Sequence, residues 1–327
     1  MSCYHPLIGI PVKGETTVNG KQKYWIRKRE DSADFQKELD LNEHILIPCG
    51  HCIGCRLDYS RSWADRMMLE LETAKKGLFI TLTYNNENAH WSQFDEYGYP
   101  VYATLDKRDC QLFMKRLRKR FSDLSIRFYL AGEYGENTFR PHYHAILFGI
   151  GLCDIPDLEQ HGVNELGQKY FISNMLSEIW SCGFVLVSDV SWKTCAYVAR
   201  YVTKKMSGPF SIDYAVRNVI PEFSLMSRKP GIGRQYLEDH PDCLDYQEIN
   251  LSAPDGALKI RIPKYYLRQL EKVDKERYKS IMKIRKDAAE DSMVLQLQKT
   301  GLSFLDYLEV KEQNKIEKVK VLKRSRV

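Results

Sequence analysis

Two histidines one residue apart, His142 and His144, lie in the stretch Arg140-Pro-His-Tyr-His-Ala-Ile-Leu-Phe-Gly149. Pro141 keeps the residue before it out of helical backbone, and the apolar run Ala145 to Phe148 ends at Gly149, so the stretch reads as a buried strand. Side chains alternate along a strand, which puts both imidazoles on one face and Tyr143 on the other. Imidazoles set side by side are natural metal ligands; the competing reading is a pair of locally hydrogen-bonded histidines. A second strand, predicted over Ile126 to Glu133, leads through Gly135-Glu-Asn137 into the first as a hairpin-like pair. Glu133 then completes a two-histidine, one-carboxylate site for Mg²⁺ or Mn²⁺ with positions open for substrate. Glu136, in the connecting loop, is the competing third ligand.

A third segment, Thr194 to Lys205, is predicted as a helix. Tyr197, Tyr201 and Lys204 fall at intervals of four and three and share one face. Two core tyrosines are the plain alternative, but a core face gains nothing from a lysine in its line, and a phosphate-handling face does. A phenol with a pKa of about 10 is a poor nucleophile at neutral pH. It becomes a useful one where a metal polarises a phosphate and a nearby cation steadies the charge. The product is a phosphotyrosine ester that keeps the energy of the broken linkage, and two tyrosines allow two successive transfers.

Cys49-Gly-His-Cys-Ile-Gly-Cys55 places three thiols two residues apart with glycines between them. Tetrahedral zinc needs a fourth ligand, for which Cys3 is the first candidate and His5 and His51 are substitutes. An iron–sulfur site or plain reduced thiols are the rivals. The start of the chain lacks a basic-then-apolar leader pattern, which predicts a reducing cytoplasm, and there nine cysteines point to metal or buried thiols rather than disulfides.

The elements that must position these groups follow from periodicity. A helix is predicted from Arg56 to Lys76, closed by Gly77, then a strand over Leu78 to Tyr84 whose Thr81 and Thr83 share a face. Asn85 to Tyr99 reads as loop. Asp106 caps a helix to about Phe121 that turns Leu112, Phe113 and Leu117 inward and Lys115, Arg116, Arg118, Lys119 and Arg120 outward. Lys169 to Trp180 is predicted as helix and Gly183 to Val190 as strand. The segment from Glu222 to Arg234 reads as a basic glycine loop whose Arg228, Lys229 and Arg234 suit a backbone phosphate. Helix is predicted again from Lys264 to Arg285, ahead of a basic, partly disordered tail.

Over 327 residues the net charge is only +6, yet it is uneven: 106–120 and 311–327 each carry +5. Such stripes point to a polyanion, most simply nucleic acid, with a solvated helix face as the alternative. No apolar run approaches the ~18 residues a membrane span needs.

The sequence resembles the HUH endonuclease superfamily, named for its histidine–bulky residue–histidine motif. His142-Tyr-His144 carries that motif, Phe79-Ile-Thr-Leu-Thr83 looks like the first motif, and Tyr197-x-x-x-Tyr201-x-x-Lys204 matches the two-tyrosine third motif. Met1-Ser-Cys-Tyr-His-Pro, Pro48-Cys-Gly-His-Cys-Ile-Gly-Cys55, Gly132-Glu-Tyr-Gly135 and Tyr197-Val-Ala-Arg-Tyr-Val-Thr-Lys-Lys205 are similar to the replication initiation proteins of Microviridae, especially gokushoviruses. The resemblance spans about Cys3 to Tyr236. It implies an α+β fold, a central antiparallel sheet of about five strands flanked by helices. An N-terminal Cys-rich zinc knuckle and a helical C-terminal extension join it, and the division is 1–76, 77–208 and 209–327. It also implies nicking and rejoining of single-stranded DNA at a phage origin in the host cytoplasm, which starts and ends rolling-circle replication. Tyr197 and Tyr201 would be the nucleophiles, Lys204 the phosphate's partner, and His142, His144 and Glu133 the holders of Mg²⁺ or Mn²⁺. Partners implied are single-stranded and replicative-form origin DNA, host helicase and polymerase, and no membrane. The rivals are a plasmid initiator, relaxase or transposase of the same chemistry, and a non-catalytic zinc-containing nucleic-acid-binding protein.

Overall fold

A computed structural model describes residues 3–28, 44–135, 138–163, 167–201, 212–253 and 256–321. The chain forms two compact units, one from 1–59 with 270–324, the other from 60–269. In order the elements are β1 (Leu7–Thr16), β2 (Gln22–Arg27), β3 (Ile45–Ile47), α1 (Ile53–Ala74), β4 (Gly77–Tyr84), β5 (His90–Phe94), β6 (Pro100–Thr104), α2 (Lys107–Arg120), β7 (Arg127–Tyr134) and β8 (Pro141–Phe148). There follow β9 (Glu159–Val163), β10 (Lys169–Ile172), α3 (Asn174–Trp180), β11 (Gly183–Asp189), α4 (Trp192–Tyr201), α5 (Ile212–Val216), β12 (Phe223–Met226) and α6 (Arg234–Asp239). The hairpin β13 (Glu248–Ala253) and β14 (Gly256–Arg261) precedes α7 (Lys264–Val273), α8 (Lys275–Thr300) and α9 (Phe304–Val321).

The larger unit is built on a seven-stranded antiparallel sheet in the order β12-β7-β8-β4-β11-β10-β9. Its central strands are apolar on both faces because helices cover both. On one face Leu82, Tyr84 and Tyr143 pack against Phe113 and Leu117 of α2 and Leu176 and Trp180 of α3, and Trp180 is fully buried. On the other, Phe79, Tyr129 and Ile146 pack against Ala64 and Met67 of α1 and Cys195, Val198 and Ala199 of α4. Burying each large ring contributes about 2–3 kcal/mol. Asp106 caps α2 as the sequence predicts, its carboxylate accepting the Arg108 N–H.

Several expectations need correction. The sheet has seven strands, not about five, because short edge strands β9 and β10 and strand β12 flank the predicted centre. β9 is mostly exposed and polar, so period-two alternation never shows in its sequence. The predicted helix from Lys169 splits: Lys169–Ile172 is strand, and Ser173 caps α3 by accepting the Leu176 N–H. Loop 85–99 holds β5, the first strand of a hairpin with β6. The polar segment after His5 folds as β1 and β2, which with β3 make a three-stranded sheet. The basic tail is helical through α9. Among the described residues no helix is long and apolar enough to cross a membrane.

Candidate active site

Strand register assembles the site. Across the β7–β8 ladder Glu133 stands opposite His142 and Ala131 opposite His144; across β4–β8, Thr83 stands opposite His142 and Thr81 opposite His144. Alternation therefore aims the two imidazoles, the carboxylate and the two threonines at one face. Glu133 Oε1 lies 2.7 Å from His142 Nε2 and 3.0 Å from His144 Nε2. Glu133 and His144 are buried, and His142 keeps a fifth of its side chain open to solvent. Burial by itself raises the Glu133 carboxyl, but hydrogen bonds from His142 and His144, with their charge, hold it down to about 2.

Both ring nitrogens of His142 face acceptors, the Arg140 carbonyl oxygen at 3.0 Å from Nδ1 and the carboxylate at Nε2. An imidazole that donates from Nδ1 turns the Nε2 lone pair toward Glu133, so a proton or a metal ion must sit between them. That requirement, with two imidazole nitrogens and a carboxylate oxygen within 4.8 Å of one another, fits a divalent cation. The surroundings fix the ligands. His144 Nδ1 is 3.0 Å from Thr81 Oγ1, and Phe79 stacks on its ring at 5.7 Å. Arg140 is anchored by donating to the Tyr84 carbonyl at 2.7 Å and to Asn86 Oδ1 at 2.8 Å. On the opposite face Tyr143 Oη accepts the Asp106 N–H at 2.7 Å and donates to the Asp106 carbonyl at 3.0 Å, which pins the strand from behind.

α4 crosses the histidine face, and the Tyr197 ring stands edge-on to His144 at 5.0 Å and to Phe79 at 6.1 Å. Tyr201 ends α4 one turn further on, about 6 Å along the axis. The Tyr201 side chain, Lys204 and Glu136 lie outside the described residues. Sequence reasoning missed that Thr81 braces His144 and that the Arg140 carbonyl holds His142; the hydroxyl on an otherwise apolar strand was the available signal for the first.

The basic residues scatter. α2 covers the face away from the histidines, and its exposed Lys115, Lys119 and Arg120 project from there. Arg116 is committed to Ser181 Oγ at 2.8 Å and to the Ile179 and Trp180 carbonyls, Arg118 to the Ile126 carbonyl, and Arg234 to Glu238 and Gln269. Arg228 and Lys229 are exposed at the far end of the sheet. A further cluster the sequence reading missed, His90, Asp106 and Asp109, is accounted for without an ion: Asp106 caps α2, and Asp109 takes His90 at 2.7 Å and the Tyr84 hydroxyl at 2.6 Å.

In the smaller unit Cys3, Cys49, Cys52 and Cys55 converge, with sulfurs 4.0 Å apart for Cys49–Cys55 and Cys52–Cys3. Backbone N–H groups donate to sulfur: Cys49 to Cys3 at 3.2 Å, Tyr4 to Cys52 at 3.4 Å and Cys55 to Cys52 at 3.5 Å. Burial raises the Cys52 thiol, but these donors and the neighbouring sulfurs bring it down to about 7. His5 is instead paired with Glu312 at 2.6 Å, and His51 is exposed.

A family model for replication-associated proteins of the ORF2 kind matches residues 77–206. The chain is 30% identical to Replication-associated protein ORF2 of Spiroplasma virus 4, over 97% of each chain. It is 28% identical to Replication-associated protein VP4 of Bdellovibrio phage phiMH2K, over 78% of this chain and 74% of that one. To Replication-associated protein ORF4 of Chlamydia phage 1 it is 33% identical over 49% of this chain and 38% of the other. No solved structure matches.

Proposed function

Since this chain belongs to the family of phage replication-associated proteins, we propose that it nicks and rejoins single-stranded DNA at a phage origin through a phosphotyrosine intermediate, as HUH endonucleases do. The observation that carries the reading is a single carboxylate oxygen of Glu133 shared by two imidazoles, with the Tyr197 ring beside one of them. His142, His144 and Glu133 would hold a divalent ion, which supplies Lewis acidity toward the scissile phosphate when bound. The phenolic oxygen of Tyr197 or Tyr201 attacks phosphorus and gives up its proton to water. As the new O–P bond forms, the P–O3′ bond breaks, and the departing 3′ oxygen takes a proton from water. The 3′ hydroxyl primes synthesis while the protein stores the 5′ phosphate. The second tyrosine cleaves after one round, and the stored ester is exchanged for a 3′ hydroxyl to close a circle.

The direct test incubates the protein and Mn²⁺ with labelled single-stranded DNA tiled across the phage genome. A covalent adduct that survives denaturation is expected on tiles containing the origin. None on any tile, under several metals, returns the chain to a non-catalytic binder.

The four cysteines would hold a structural zinc, since four sulfurs and inward-facing N–H donors form a closed tetrahedral set. The purified protein is therefore expected to contain one equivalent of zinc, and Co²⁺ in its place to give the absorption of a tetrahedral thiolate site. Binding energy at such sites is of order 10 kcal/mol. Cys52→Ser is then expected to lose the ion and unfold the smaller unit; a metal-free protein with an unchanged unfolding curve refutes the site.

A further inference from the structure

The end of the sheet away from Glu133 carries a second charged feature. Arg127 and Glu133 are six residues apart on β7 and point from the same face; the ladder sets Arg127 opposite Phe148 and Glu133 opposite His142. At about 3.4 Å per residue the two lie roughly 20 Å apart. Around Arg127 a groove of about 870 Å³ is lined by Arg118, Arg127, Arg228 and Lys229, and Glu70 is the one carboxylate among its lining residues.

The charges do not cancel. Glu70 is already answered, one oxygen by Arg127 and the other by the Gly233 N–H at 2.6 Å. Two guanidiniums are held by uncharged acceptors as well, Arg127 by the Pro230 carbonyl at 2.8 Å and Arg118 by the Ile126 carbonyl at 2.9 Å. Those bonds fix the groups without neutralising them, while Arg228 and Lys229 stand exposed at the rim. The wall therefore presents a preset surplus of three positive charges. Fixed cations with little to read a base edge suit a phosphodiester backbone.

We propose that this groove binds backbone phosphates of single-stranded DNA about six nucleotides from the bond being cut. The inference rests on the cleavage reading for its register: stacked nucleotides rise about 3.4 Å each along a strand, so a strand anchored at Glu133 needs about six to reach Arg127. Arg127 adds a residue that periodicity hides, because it opens an otherwise apolar strand.

The test uses oligo(dT) of 4 to 24 nucleotides, whose affinity is followed by fluorescence anisotropy at several salt concentrations. The full-length protein is compared with Arg228→Ala/Lys229→Ala. Each phosphate contact to a single strand contributes about 0.7 to the slope of log K against log salt, so the double variant is expected to show a slope shallower by about 1.4. The gain in affinity on lengthening from 4 to 12 nucleotides is expected to be at least about tenfold in the native protein and under threefold in the variant. Arg228→Lys/Lys229→Arg is expected to restore both. Identical slopes and identical length dependence in the native protein and the alanine variant overturn the proposal, as does a loss confined to duplex DNA of the same lengths. Oligo(dT) carries no origin, so a groove effect in a protein that forms no adduct would sink the cleavage reading and leave the groove standing.

Discussion

Replacing Tyr197 and Tyr201 together by phenylalanine is expected to abolish the covalent protein–DNA adduct, a loss of at least about 10³-fold in the rate of its formation. The change is conservative where it can be followed. Phenylalanine keeps the edge-on contacts of ring 197 with His144 and Phe79 and removes only the hydroxyl. A fall in adduct then reports the missing nucleophile rather than a displaced helix. Each single variant is expected to retain part of the nicking, because the remaining tyrosine lies one turn away on α4. Rejoining suffers more than nicking in the singles, since a strand held on one tyrosine needs the other for the second cut. Single-turnover gels with end-labelled origin DNA separate the two steps. A double variant that still forms the adduct removes both residues from the mechanism.

The parts of this arrangement that were legible in the sequence are those set by a short period or a ligand count. Two histidines two residues apart on a strand must share a face, and a hairpin must bring the strand before them alongside; Glu133 follows from those two facts. Four thiols around one ion follow from coordination chemistry, which is how Cys3 could be paired with a cluster more than forty residues away. What the sequence hid depends on which side of the sheet an element lands. The α2 stripe reads as amphipathic either way, yet α2 covers the face behind the histidines. Arg116 and Arg118 look like free cations in the sequence and turn out to hold the α3 terminus and the approach to β7. The grouping of 270–324 with 1–59 leaves no local mark at all, because contacts across such separations are written in no window of neighbouring residues.

Glu133→Gln tests the other half of the site. The substitution keeps the side-chain shape and removes the negative charge between His142 and His144. With the carboxylate in place, the site presents a full negative charge to any cation, and burial keeps water from weakening that field. The amide offers a neutral oxygen, and its NH₂ competes for the same imidazole nitrogens. Metal affinity is therefore expected to fall by at least about 10²-fold and adduct formation by about 10³-fold, a deficit that excess Mn²⁺ repairs only in part. Isothermal titration with Mn²⁺ and adduct gels run across a metal series check the two numbers independently. DNA affinity at low salt is expected to stay within about threefold, because phosphate contacts made by lysine and arginine dominate that term. If Glu133→Gln binds metal and cleaves as the native protein does, the shared carboxylate is a strut for two histidines and the chemistry lies elsewhere on the chain.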